Sequence, residues 1–524
     1  MADWSLFEEP SPPSPTAESL YTEIKSSTVQ LGSQFTQVHD GTIEIRSNNN
    51  DAWYDLSDSY IEVKFRITKD GVGVPGVGAG NRTSLGADDV ITMVNSGYSL
   101  FRRVELSFGD SNVVDYSDLP GRCHLAHAYS RYSAGRLAES EASEWLYAEN
   151  ASLTVGTATA VAAVAPAPGA TYSSLGAAIL NDPIGHTATD ELRAEYLKRN
   201  PSYARRFART RQSRICTLFL PLRAVLGYCD NLNKPIRGIP FQINLERNET
   251  WQHVLHSTST AIVDPRIVVL TCSLWTKIVK PTVEISGLIN EQLSQDNLTT
   301  SYVFENKSGY YSPEYNPDAA EQIIEWKVQT SVAKPTLVYV GFLSEAQFTR
   351  IADGFDPDTV PDDFSAAIAS PYELIQHQVA NSGLLGSHLN DIRRVEVRIN
   401  SKQYVTDPYV MSFVTSPLNQ NESWQRAYTD FKKVFYRDMP ENSKLIDLET
   451  WKMAPLFAFK LDNDAGVFQN SKSVDITVRA NVLSTAFNPG VAASGSGKFH
   501  AYAIVYSERQ LKVQALDGRI VMYT

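Results

Sequence analysis

The chain has few cysteines and no apolar run long enough to cross a membrane. Its 524 residues include four cysteines, Cys123, Cys216, Cys229 and Cys272, and none of them form a CxxC pair. This pattern excludes a dense disulfide framework and a zinc knuckle, and it predicts reduced, buried thiols. The longest small apolar stretch, residues 158–170, is interrupted by Pro and Gly and is shorter than the roughly 18 residues of a membrane-spanning helix.

The chain also lacks an excess of positive charge. Its 47 Lys and Arg face 59 Asp and Glu, a net charge of -12. This balance excludes a protein whose whole surface binds nucleic acid, because phosphate binding depends on clustered positive charge.

One basic segment stands out, in and just after a helix predicted over residues 190–209. Its members are Lys198, Arg199, Arg205, Arg206, Arg209, Arg211 and Arg214. The charge pattern favours a contact with a neighbouring subunit, then a solvated face, then local contact with nucleic acid. The residues predicted to make a subunit or interior contact are Arg199, Arg205, Arg206, Arg209 and Arg211.

Motifs that carry chemistry are absent or out of context. Residues 71–76 match the dinucleotide-binding pattern by letters but lie between strands, and residues 494–498 lack the spacing and the final Ser or Thr of a phosphate-binding loop. His124 and His127 form an H-x-x-H pair, as do His253 and His256, yet two ligands do not complete a zinc site. No G-x-S-x-G nucleophile motif occurs. The sequence therefore predicts no catalytic site, no cofactor and no metal.

Length and periodicity predict two β-sheet domains. A single core rarely exceeds about 300 residues, so a chain of this length divides naturally into two. Residues 60–67 and 101–108 in the first half, and 324–328 and 393–399 in the second, alternate polar and apolar side chains as half-buried strands do. We therefore expect an all-β protein built as a duplicated sandwich.

The order of several segments resembles a known family. Residues 53–63 (WYDLSDSYIEV), 93–106 (MVNSGYSLFRRVEL), 227–248 (GYCDNLNKPIRGIPFQINLERN) and 501–509 (AYAIVYSER) resemble successive motifs of the double jelly-roll major capsid proteins of Polinton/Maverick elements, adintoviruses and polinton-like viruses. These proteins are distantly similar to adenovirus hexon and to virophage capsid proteins. The resemblance spans most of the chain and is stronger in its first half.

The resemblance implies two tandem eight-stranded jelly rolls with long surface loops and short helices. We expect a flexible, Pro-rich arm over residues 1–19, with no secretory signal, and a first jelly roll over 20–281 with an insertion at 118–214. A short linker near Thr282 leads to a second jelly roll over 282–524. Trp275, Trp326, Trp424 and Trp451 are expected in cores or interfaces.

The resemblance also implies a structural role rather than an enzymatic one. Such a chain forms homotrimeric, pseudo-hexameric capsomers that contact neighbouring capsomers, a pentameric vertex protein and minor capsid proteins in the icosahedral virion of a double-stranded DNA virus. Assembly takes place inside the host cell, and contact with the genome is at most local. The alternative is a two-domain β-sandwich protein that binds or hydrolyses glycans, because fold alone does not fix function.

Overall fold

The computed structural model describes the chain in segments. The described residues are 16–27, 42–47, 52–70, 82–86, 91–109, 112–147, 201–231, 235–236, 239–248, 254–257, 265–293, 299–313, Tyr315, 321–332, 334–344, 392–400, 402–403, 408–410, 424–436, Ile446, Trp451, 455–461, 474–483, 499–514 and 520–523.

The strands of the first half build one pair of sheets. They are β1 (Thr16–Lys25), β2 (Thr42–Arg46), β3 (Trp53–Asp70), β4 (Arg82–Ser84), β5 (Ile91–Met93), β6 (Phe101–Phe108), β7 (Asn112–Asp118), β8 (Cys216–Pro221), β9 (Phe241–Arg247), β10 (Leu255–Ser257) and β11 (Arg266–Pro281). Sheet I has the order β1-β11-β3-β8, with β4 extending one end of β3, and sheet II has the order β2-β9-β6-β7. All of these pairings are antiparallel.

The second half repeats this arrangement. Its strands are β12 (Thr299–Tyr311), β13 (Glu321–Val332), β14 (Pro335–Ser344), β15 (Ile392–Ile399), β16 (Lys402–Gln403), β17 (Tyr409–Val410), β18 (Phe457–Lys460), β19 (Val474–Leu483), β20 (Phe499–Gln514) and β21 (Ile520–Tyr523). Sheet III has the order β12-β20-β14-β18, and sheet IV has the order β13-β19-β15-β16, with β17 also paired to β15.

The two halves share one topology. When the eight principal strands of each half are numbered along the chain, one sheet has the order 1-8-3-6 and the other the order 2-7-4-5 in both halves. Two four-stranded sheets connected in this way form a jelly roll. The chain is therefore an all-β protein of two tandem eight-stranded jelly rolls, as the sequence predicts.

Strand alternation explains where each core lies. In β3, Ile61, Val63 and Phe65 are fully buried while the residues between them face outward. The equivalent alternation in the second jelly roll buries Val395 and Val397. Each fully buried side chain of this kind contributes about 1.5–3 kcal/mol to folding, so the alternation fixes which face of each sheet is covered.

Six α-helices among the described residues lie between strands. They are α1 (Pro120–Arg131), α2 (Ala134–Ser143), α3 (Pro201–Thr210), α4 (Gly227–Asn231), α5 (Val283–Leu293) and α6 (Trp424–Phe435). Helices α1 to α3 occupy the connection between β7 and β8, where the sequence predicts an insertion. In the described part of the chain, none of the helices is both long and apolar enough to cross a bilayer.

Three local features differ from the sequence expectations. β1 begins at Thr16 rather than after residue 19, because Thr16 and Glu18 already pair with Pro281 and Lys280 of β11. The linker near Thr282 is the helix α5, which no strong apolar periodicity marks. Helix α3 begins at Pro201, whose fixed φ suits a first helical position, and the earlier residues 190–200 of the predicted basic helix lie outside the described residues.

Candidate functional site between the two jelly rolls

The joint between the jelly rolls is built around strand β12. This first strand of the second jelly roll packs against β7, α1 and α4 of the first. The approach is closest at the start of α4, where a Cβ on Gly227 would lie 1.7 Å from the carbonyl oxygen of Glu305. Since real Cβ atoms are not found at such distances, only glycine at position 227 allows the two backbones to meet.

Asp115 of β7 and Asn306 of β12 form the first polar contact across the joint. The Asn306 Nδ2 atom donates to Asp115 Oδ1 over 2.7 Å and also to the carbonyl oxygen of Tyr116. The backbone N–H of Tyr228 donates to the other carboxylate oxygen of Asp115 over 2.9 Å. Burial raises the pKa of Asp115, and these two hydrogen bonds oppose part of the rise.

Lys307 forms the second contact and is only 1% exposed. Its Nζ atom lies 2.7 Å from Asp230 Oδ2 and 3.1 Å from Nδ1 of His127. Arg131 of α1 also reaches Asp230, over 2.7 Å, so one carboxylate of α4 holds two cations. Burial lowers the pKa of Lys307, and the charge of Asp230 opposes that shift.

The contact with Lys307 determines the tautomer of His127. A lysine ammonium can only donate, so Nδ1 of His127 accepts and the imidazole is neutral with its proton on Nε2. Burial, followed by the charge of Lys307, holds the pKa of His127 well below its usual value. His127 is a buried, packed residue, 5% exposed. Within the described residues, no group of three His, Cys, Asp or Glu side chains could hold a metal ion.

Apolar side chains also cross the joint. Phe304 and Leu511 of the second jelly roll belong to the core of the first, where the Phe304 ring packs edge-on against Tyr228 at 5.5 Å. In return, Cys123 and Leu125 of α1 belong to the core of the second. The two cores interlock, so neither jelly roll can rotate on the other without exposing apolar surface.

A buried carboxylate holds α1 and α2 together. Glu144, just after α2, accepts from His124 Nε2 at 3.0 Å, Arg136 at 2.9 Å, Tyr132 at 3.1 Å and Ser140 at 3.1 Å. The pKa of Glu144 lies below its usual value. Burial by itself would raise this pKa, but the hydrogen bond from His124 and the charge of Arg136 outweigh that effect. This network fixes the helix α1 that contacts the second jelly roll.

The structure divides the predicted basic cluster into buried and exposed members. Arg206 is buried and points its Nη1 atom at the carbonyl oxygen of Met93, 3.4 Å away. Arg209 donates to the carbonyl oxygens of Glu141 and Ala142 over 2.9 and 3.0 Å and stacks on Trp145 at 4.4 Å. Both side chains therefore fasten α3 to its own jelly roll.

The other members of the cluster differ in their surroundings. Arg205 is exposed and pairs with Glu141 over 2.8 Å. Arg211 is half-buried and Arg214 is exposed, whereas Lys198 and Arg199 lie outside the described residues. A contact with a neighbouring subunit stays a prediction, and among the described members Arg205 and Arg214 present charge to solvent.

A small cavity beside α1, lined by Ser99, Arg122 and Tyr311 among others, holds about 20 Å³, which is room for one water molecule. Ligand pockets are commonly more than tenfold larger. The polar groups of the joint hold β12 against the first jelly roll.

Sequence reasoning missed the charged residues of the joint. Asp115, Asp230 and Lys307 sit in ordinary strand or turn contexts and look solvent-facing when each is considered alone. Their partners are 77 to 191 residues away along the chain, as for Lys307 with Asp230 and Asn306 with Asp115. The one available signal was the H-x-x-H spacing, which places His124 and His127 on one side of α1.

No protein-family model matches the chain, and no curated protein sequence matches it. Among solved structures, the chain is similar to a chain of the Sputnik virophage, with a TM-score of 0.48, 11% identity, and coverage of 97% of this chain and 89% of that chain. It is also similar to the Faustovirus major capsid protein, with a TM-score of 0.46, 10% identity, and coverage of 96% and 92%. For the mavirus major capsid protein the TM-score is 0.42 and the identity 12%, with coverage of 100% and 94%.

Proposed function

We propose that the chain is a structural major capsid protein that forms homotrimeric, pseudo-hexameric capsomers of an icosahedral DNA virus shell. The observation that carries the proposal is the repeated 1-8-3-6 and 2-7-4-5 strand order in two jelly rolls locked by a buried joint. Three such chains present six similar sandwiches, and six similar units close into a ring with a hexagonal outline. Hexagonal units can tile a shell.

The rigidity of the joint supports this role. A shell requires each subunit to keep one shape while it contacts many neighbours, and a buried, interlocked interface resists the hinge motion common between loosely packed domains. The motif resemblance of residues 53–63 and 93–106 points the same way. The alternative of a glycan-binding or glycan-hydrolysing sandwich gains no support from the described residues.

The proposal extends to the predicted division of the chain and its partners. Residues 1–19 act as the arm, 20–281 as the first jelly roll and 282–524 as the second, apart from the earlier start of β1. The capsomers meet one another, a vertex protein and minor capsid proteins in the virion, and the chain performs no catalysis. Exposed arginines such as Arg205 are available for a contact with a neighbouring subunit or the shell interior.

Light scattering on the purified protein tests this function. We expect a mass three times that of the 58.1 kDa chain, together with larger assemblies at high concentration. A monomer of 58.1 kDa at every concentration would contradict the proposal.

A further inference from the structure

Four aromatic side chains form a patch on the outer face of sheet I, one from each of its strands. Tyr21 lies on β1, Trp275 on β11, Tyr60 on β3 and Phe219 on β8. The ring of Tyr60 lies 6.1 Å from Tyr21, 5.7 Å from Phe219 and 6.4 Å from Trp275, measured between centroids. Tyr21 is 48% exposed and Phe219 40% exposed, so a continuous aromatic surface faces outward.

The equivalent face of the second jelly roll also carries aromatic residues, but they are covered. Tyr502 and Tyr506 on β20 and Tyr339 on β14 point outward from sheet III and are nearly fully buried. Helix α1 of the first jelly roll covers the β20 side, where the Arg122 guanidinium lies 4.7 Å from the ring centroid of Tyr502. Helix α6 covers the β14 side, where Phe435 meets Tyr339 at 5.3 Å.

Helix α1 reaches sheet III because the fifth strand of the first jelly roll packs beside the first strand of the second. In the chain, β7 packs along β12, and α1 follows directly from β7. The matching elements for a second contact of this kind are β16 and β17, which together pair with β15 as β7 pairs with β6, and β1, the counterpart of β12. Val410 of β17 is 60% exposed and Tyr21 of β1 is 48% exposed, so each of the matching strands presents a large apolar side chain to solvent.

We propose that the aromatic patch of Tyr21, Tyr60, Phe219 and Trp275 is the docking surface for the second jelly roll of another copy of this chain. This inference rests on the proposed capsomer and names its subunit interface. A head-to-tail contact of this type uses two different surfaces of each copy, and such contacts close into a ring when the rotation from one copy to the next divides a full turn evenly. Three copies then alternate intrachain and interchain joints around six jelly rolls.

The composition of the patch fits a protein interface. Tyr and Trp are enriched among the residues that contribute most to binding between proteins, and contiguous exposed apolar patches mark interaction sites. Trp275 is held in place by donating its Nε1 hydrogen to Glu62 over 2.7 Å, so part of the surface is ordered before a partner arrives.

The test replaces the two most exposed aromatics of the patch and measures mass by light scattering over a concentration series. In the double variant Tyr21→Glu and Phe219→Glu, we expect the concentration for half-dissociation of the trimer to rise by at least about 100-fold. This estimate assumes that the loss of each interface aromatic weakens the affinity between subunits by about tenfold. Val410→Glu should weaken the trimer in the same direction. The conservative pair Tyr21→Phe and Phe219→Tyr should keep the trimer, which separates loss of docking from loss of folding.

The matched control is Ile323→Glu. Ile323 is 53% exposed on β13, at the edge of sheet IV opposite to β17, and its replacement should leave the trimer intact. If the wild-type protein is a trimer and the double variant dissociates at the same concentration, the proposed docking surface is wrong, while the proposed function still stands. Equal dissociation by Ile323→Glu also overturns it, and a monomeric wild-type protein overturns the capsomer itself.

Discussion

At the scale of single residues, the unusual feature is a set of buried charges that connect distant parts of the chain. Lys307 and Asp230 form an ion pair that is almost fully removed from water, and Arg131 shares the same carboxylate. Removing one partner of a buried pair leaves the other charge without compensation, which costs far more than the loss of a surface pair.

Asp230→Ala should therefore lower the free energy of unfolding by about 3–5 kcal/mol, because it strands the buried ammonium of Lys307. Urea denaturation followed by fluorescence measures this loss. The control is Glu18→Ala, which breaks the exposed pair with Lys280 and should cost no more than about 1 kcal/mol. Equal losses in the two variants would contradict the proposed role of Lys307.

The neutral His127 predicts a dependence of stability on pH. Its pKa is well below the usual value in the folded chain and near 6.5 in the unfolded chain, so below about pH 6.5 the unfolded state binds the extra proton. The free energy of unfolding should therefore fall as the pH decreases from 7 to 5. His127→Gln, whose side-chain oxygen can still accept from Lys307, should flatten this part of the curve. An unchanged slope in the variant would show that His127 does not titrate in this way.

At the scale of elements, the joint depends on how closely α4 approaches β12. An alanine at position 227 would place its Cβ on the carbonyl oxygen of Glu305, so α4 or β12 would have to move. Such a shift would separate Asp230 from Lys307 and pull Tyr228 away from Phe304. The closeness of these two elements, more than any single bond, holds the jelly rolls in one orientation.

Gly227→Ala should destabilise the protein by about 3 kcal/mol or more, which is the upper range for overpacking in a rigid core. It should also split a single calorimetric transition into two, because the jelly rolls lose their coupling. Gly287→Ala on α5 is the matched control, since no described atom outside the helix's own backbone and the neighbouring residues lies within 4 Å of the added Cβ. That control should be neutral or slightly stabilising, as Ala favours a helix over Gly. A single transition at unchanged temperature for Gly227→Ala would contradict the account.

The same elements show how far sequence reasoning extends. The strands β3, β6 and β15 could be predicted because apolar and polar residues alternate over eight positions in β3 and over six in β6 and β15. Helix α5 could not, because its apolar residues follow no clear helical stripe and Val283 and Leu288 are exposed. The partners of Lys307 could not be predicted either, since alternation shows which face a side chain takes but not which distant element covers that face.

At the scale of the whole molecule, the two jelly rolls share one topology but differ in how the outer face of the equivalent sheet is covered. Sheet III is covered within the chain, whereas sheet I presents Tyr21 and Phe219 to solvent. The repeated jelly roll, the rigid joint and the open aromatic face together favour a closed ring of three chains. The Pro-rich residues 1–15 precede β1 and lie outside the described residues.

Removal of residues 1–15 should therefore leave the trimer intact, because β1 begins only at Thr16. The same truncation should weaken the assembly of trimers into larger shells if the arm contacts neighbouring capsomers. Light scattering at low and high protein concentration separates these two effects. A truncated protein that is monomeric would show that the arm belongs to the trimer interface instead.

Electron microscopy of the purified wild-type protein tests the central claim most directly. Averaged images should show a particle of three chains in which six similar sandwiches form a hexagonal outline around one threefold axis. Particles of the size of a single 58.1 kDa chain, or oligomers without that six-unit outline, would contradict the claim that this chain is a capsid protein.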